Sequence, residues 1–172
     1  MKWLLAFPLI VACGTSNNHG TDAAGNGSGS NMGSHPCQIT LSGSLTGTYS
    51  CTASTGYNAT SNKGGFGVTV SGAPEQITIG IGWTGMPSAR HYRQSDTDAT
   101  GGIGIVMGTS VWDANSASGG NPAVGTYDLS FVGLGTETMS GSDSIYTATG
   151  SVNASAPARS GGTGTVTVTV TF

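Results

Sequence analysis

Thr165-Val166-Thr167-Val168-Thr169-Val170-Thr171-Phe172 alternates hydroxyl and apolar side chains without a break. Successive side chains of a strand point to opposite faces, so this stretch has one face of Val166, Val168, Val170 and Phe172 and one of four threonines. A helix would scatter the same valines around its axis, and β-branched residues favour the extended form. The same alternation recurs upstream. Ile77, Ile79, Ile81 and Trp83 share a face within Glu75–Trp83, as do Phe66, Val68 and Val70. Ile39 and Leu41 alternate within Gln38–Ser42, and Leu45, Tyr49 and Cys51 continue that parity beyond the turn residues Gly43-Ser44 and Gly47. Tyr127, Leu129 and Phe131 form another set, Ile103–Val111 is apolar enough for a strand, and Ser144–Asn153 reads as one. The turn-rich segments Tyr57–Gly65, Thr84–Gly102, Trp112–Val124 and Ala154–Gly164 read as loops. The expectation is an all-β domain over residues 36–172: an antiparallel β-sandwich of about eight strands, with a closed β-barrel as the alternative.

Composition narrows the function classes. Charged residues make up 8% of the 172, against about 25% in an ordinary soluble domain. Glycine occurs 30 times, and the formal charge is −3. Without a basic patch, nucleic acid is not an expected partner. Enzymes gather several ionisable groups, which this chain has in short supply, so a non-enzymatic protein is expected. A hydrolase is the least favoured reading. His91 could be combined with many serines and aspartates, but no Gly-x-Ser-x-Gly elbow sits between a strand and a helix. Asp113, Asp128, Glu137 and Asp143 select no glycosidase-type pair by spacing.

At the other end, Lys2 precedes the uncharged apolar run Trp3–Val11, which is too short to span a bilayer and fits the h-region of a signal peptide. The run ends Ile10-Val11-Ala12-Cys13. This resembles the lipobox of bacterial lipoproteins. The resemblance covers only this targeting segment, and the folded domain resembles no known family. It implies a signal peptide over residues 1–12, cleavage before Cys13, a diacylglyceryl thioether on its sulfur and usually an acylated amine. Several acyl chains, at about 0.8 kcal/mol per buried CH₂, amount to near-permanent attachment. The implied partner is the lipid bilayer, and the implied location is the bacterial cell envelope. Gly14 follows the cysteine where inner-membrane lipoproteins often carry Asp, which favours the outer membrane. Residues 13–35, dense in Gly, Ser and Asn, read as a flexible linker that includes His19 and His35. Its coil reach is about 25 Å from 5–6 Å × √n.

If Cys13 is lipidated, Cys37 and Cys51 remain as an even pair in an oxidising compartment, where a disulfide is expected. They lie nearly equidistant from the turn of a hairpin, so a cross-strand bridge is reasonable. Two buried thiols, or metal or redox chemistry, are the alternatives.

Three features could carry binding. Asp96-Thr97-Asp98-Ala99-Thr100 places oxygens at alternate positions, as calcium loops do. Asp96, Asp98 and Thr100 are therefore the candidate metal ligands, and calcium is the one cofactor considered. The resemblance to an EF-hand loop is partial, because Met107 stands where a bidentate Glu belongs and no helices flank it. Arg90 and Arg93 could take an anionic ligand. Trp112, beside Asp113, could offer a face to a sugar, whereas Trp83 continues an inward stripe. The function expected is a membrane-anchored lipoprotein with a structural or adhesive domain meeting an envelope protein or glycan. The alternative is a ligand-binding module for calcium or saccharide.

Overall fold

The alternation produces ten strands and, among the described residues, no helix. The structure is a computed structural model that describes residues 34–172. The expected signal peptide, Cys13 and the expected linker up to residue 33 lie outside the described residues. The strands are β1 (Ser34–Gly43), β2 (Gly47–Asn58), β3 (Lys63–Val70), β4 (Gln76–Thr84), β5 (His91–Arg93), β6 (Ala99–Met107), β7 (Ser110–Asn115), β8 (Thr126–Ser140), β9 (Asp143–Ser160) and β10 (Thr165–Thr171).

Every pairing is antiparallel. Hydrogen-bonded neighbours run from β10 through β1, β2, β3, β4, β6 and β7 to β9, and β9 pairs back onto β10. The ladder is therefore ring-like, an all-β architecture between a sandwich and a barrel. β9 is the branch point. Its first residues pair with both β8 and β2, and Ser151–Ser155 pair with both β8 and β10. β5 lies on the outer side of β8, opposite Asp128–Ser130.

The apolar faces read from the sequence converge on one core. Val166, Val168 and Val170 are fully buried, as are Ile39, Ile103, Ile105, Leu129 and Val152. Aromatic rings cross its centre. Trp83 lies 4.3 Å from Tyr92 and 5.7 Å from Phe131, ring to ring, and Phe66 lies 4.7 Å from Phe172. Trp83 stands directly opposite Gly64 across β3 and β4. A Cβ on Gly64 would overlap the indole, so the missing side chain is what lets the ring lie flat on the neighbouring backbone.

That packing explains where expectation and structure differ. Gly64 and Gly65 read as turn residues, yet both are in β3, and the predicted Tyr57–Gly65 loop shrinks to a tight turn with Asn62 at φ 52°. The single strand read over Ile103–Val111 is two, because Gly108 at φ 60° turns β6 into β7. The loop read over Thr84–Gly102 contains β5 and the start of β6. β9 continues to Ser160 through the region read as a turn, since Ala154 and Ala156 are small enough to face the core opposite β10.

His35 was expected in the linker but belongs to β1, opposite Ala53. Its ring stacks on Phe172 at 5.8 Å, and the backbone N–H of Ala148 donates to its Nε2 at 3.3 Å. β10 has no partner for β1 beyond Gln38, so Pro36, which has no N–H, costs no ladder bond to β10 there. His35 fills the resulting fork between β1 and β9. Burial pushes its pKa down, partly opposed by a hydrogen bond to the Pro36 backbone, and an Nε2 that accepts Ala148 N–H must be unprotonated. A folded-state pKa below the unfolded one gives stability that is full above the unfolded value near 6.5 and is lost as pH falls through the folded value. The melting temperature should therefore drop between pH 7 and pH 5 by more in the native chain than in His35→Phe. Parallel pH profiles for the two proteins would contradict this reading of the fork.

Candidate functional site

Charge is concentrated around β5. Tyr92 is fully buried against Trp83, so period-two alternation throws its neighbours His91 and Arg93 outward. Register places Arg93 opposite Asp128 and His91 opposite Ser130 on β8. Asp128 joins both. One carboxylate oxygen lies 2.7 Å from His91 Nδ1, and the other accepts from Arg93 Nε at 3.1 Å. The backbone N–H of Arg93 donates to Asp96 at 2.8 Å, which closes the turn after β5. Arg90 pairs with Asp98 and places its guanidinium 4.2 Å above the Tyr92 ring. The hydrogen bond that Arg90 donates to Asp98 raises the Arg90 pKa. Gln94, directly after β5, donates from Nε2 to the carbonyls of Asn115 and Val124, at 2.7 and 2.8 Å, and ties this turn to the end of β7 and to the loop before β8.

These contacts fix the positions of the candidates. Asp96 caps a turn, Asp98 holds Arg90, and Thr100 lies exposed on β6 opposite Gly82, so the three oxygen donors have separate tasks. Among the described residues no group of three or more His, Cys, Asp or Glu side chains gathers as metal ligands do. Trp112 is a β7 core residue at 4% exposure, with Nε1 donating to Thr163 O at 3.4 Å, and has no open face for a sugar. Its neighbour Asp113 is also buried and accepts from Arg159 at 2.7 Å. Arg90 and Arg93 hold different aspartates, Asp98 and Asp128, and of the two only Arg93 lines the groove described below.

Sequence reasoning missed Asp128 as the hub of this cluster, because β5 and β8 meet only through strand order. It also missed what lies beside it. The row Arg93, Asp128, Asn153, Thr169 crosses β5, β8, β9 and β10, and Thr126, Ser155 and Thr167 form the next row. A shallow groove of about 430 Å³ runs along these rows. A second, of about 440 Å³, lies at the fork beside His35 and Phe172 and is walled by Leu134 and the β9 residues around Ala148. Cys37 and Cys51 face each other across β1 and β2 with Cα atoms 4.8 Å apart, and they form the disulfide.

No protein-family description, curated protein or solved structure matches this chain.

Proposed function

We propose that this chain is an envelope lipoprotein, held on the bilayer by acyl groups on Cys13, whose disulfide-stapled β domain makes non-catalytic structural or adhesive contacts. The observation that carries the reading is the agreement between the two ends of the cysteine argument. A Cys37–Cys51 bridge belongs to an oxidising compartment, and the lipobox-like Ile10-Val11-Ala12-Cys13 is the kind of segment that delivers a chain to one. The remaining cysteine is the one that lipid chemistry needs. Support for a non-catalytic role comes from how the ionisable groups are used: Arg90, Arg93 and Arg159 each hold an aspartate. Gly14 after the cysteine favours the outer membrane.

Fractionation tests this. In a Gram-negative host the native chain should sediment with membranes and resist high salt, which strips proteins held only by charge. Cys13→Ser should move it to the soluble fraction, since no apolar segment long enough to span would remain. A Cys13→Ser chain still embedded in membrane would defeat the anchor.

A further inference from the structure

We infer that the groove across β8, β9 and β10 is a binding site for a neutral saccharide, in which the fixed Arg93–Asp128 pair engages adjacent hydroxyls. This goes beyond the anchored-domain reading and stands apart from the lipid, because it is tested on unlipidated protein.

The groove is built from the outward halves of strands whose inward halves are core. Tyr127 and Ala154 are buried beneath it, so its side chains project from rigid backbone. Six side chains line it usefully: Arg93, Asp128, Thr126, Asn153, Ser155 and Thr167. Register puts Thr126, Ser155 and Thr167 in one row, with Asp128 and Asn153 beside them in the next. Cross-strand neighbours of this kind have Cβ atoms about 4.5–5.5 Å apart. The result is a row of hydroxyl, amide and charged groups spaced along a lining that is mostly carbon, a mixed surface that can meet both the hydroxyls and the C–H face of a sugar.

Two features choose the ligand class. Arg93 uses Nε to hold Asp128 and has no other side-chain bond among the described residues, so its two terminal nitrogens remain available as donors. Asp128 keeps acceptor capacity on both oxygens beyond its bonds to His91 and Arg93. A guanidinium and a carboxylate locked side by side offer charge-assisted donors and acceptors to neighbouring hydroxyls. Charge balance then disfavours an acidic sugar. Arg90 and Arg93 are matched by Asp96, Asp98 and Asp128, so there is no surplus of positive charge for a uronate to meet. The Tyr127 ring is 3% exposed with its hydroxyl 2.6 Å from Ser116, so recognition runs through hydrogen bonds and not ring stacking. An open groove of that kind binds weakly, with Kd on the order of 0.1–1 mM.

The test is an NMR titration of the ¹⁵N-labelled full chain carrying Cys13→Ser. The probes are cellohexaose, mannohexaose and chitohexaose, each to about 10 mM, a ceiling well above the expected Kd, with hexagalacturonate as the acidic comparison. The expected result is a saturable shift with at least one neutral hexaose, confined to Arg93, Thr126, Asp128, Asn153, Ser155 and Thr167. Asp128→Asn should weaken it by about tenfold or more, and Thr167→Val, which leaves every ion pair intact, by about threefold. Silence with all three neutral sugars overturns the inference. So do shifts mapping elsewhere, tighter binding of the uronate than of every neutral probe, or unchanged affinity in both variants.

Discussion

Replacing Trp83 with alanine lowers the unfolding free energy by about 3–5 kcal/mol, the range for emptying a large aromatic from a core. At roughly 3 °C per kcal/mol for a domain of this size, the melting temperature falls by about 10–15 °C. The indole is 2% exposed and contacts Tyr92 and Phe131. It lies on Gly64, whose missing side chain leaves the cavity without a neighbour to fill it. The loss also reaches the charged cluster, because Tyr92 is the one inward residue of three-residue β5 and the Trp83 stack is what holds it. The His91–Asp128 and Arg93–Asp128 contacts should loosen together, seen as faster exchange of the β5 amides. Trp83→Phe sorts the causes. It keeps most of the ring area and removes an Nε1 that is buried without a partner, so its cost should be less than half that of alanine. A melting shift under about 3 °C for Trp83→Ala would mean that the aromatic centre does not carry the fold.

The second large effect belongs to the disulfide. Cys37 and Cys51 are 14 residues apart in sequence, and closing a loop of that length is worth about 3 kcal/mol in the chain-entropy account. The position matters as much as the size. Between Ser34 and Cys37, β1 pairs with β2 and has no β10 beside it, since that pairing starts at Gln38. If the proposed lipid anchor holds the chain ahead of Ser34, this half-supported end would take the pull. The bridge, three residues inside it, stops β1 from peeling away from β2. Cys37→Ala/Cys51→Ala should therefore lower the denaturation midpoint and, before global unfolding, release the amides of Ser34, His35 and residue 37 to exchange ahead of those of β10. Equal protection at position 37 and at Val168 in the double variant would show that the staple does not guard the start of β1.

The parts of the fold that could be read from sequence are those where large apolar residues alternate alone. Val166, Val168 and Val170 did so, as did Ile77 to Trp83, and each set is in a strand with its expected core-facing parity, Ile77 being the only partly buried member. What escaped depended on residues whose local preference was overruled by a distant contact. Gly64 is a strand residue because Trp83 needs its space. Ala154 and Ala156 face the core because β10 lies close beside them. Trp112 is interior because Gly108 turns the chain early enough to put it in β7. His35 is ordered by Phe172 and Ala148, both more than a hundred residues away. The site divides in the same way. Arg90, Arg93, Asp96 and Asp98 announce themselves as the densest charge in the domain, whereas Asp128, Asn153 and Thr167 join them only through a strand order that no local pattern encodes.

The claim on which the proposed location and envelope role both depend is covalent. Mass spectrometry of the N-terminal peptide, from protein made in a bacterial host with intact lipoprotein processing, tests it most directly. The account predicts a chain beginning at Cys13 and heavier than its sequence by a diacylglyceryl thioether, with or without an N-acyl group. An unmodified Cys13, or a chain that retains Met1, would contradict it.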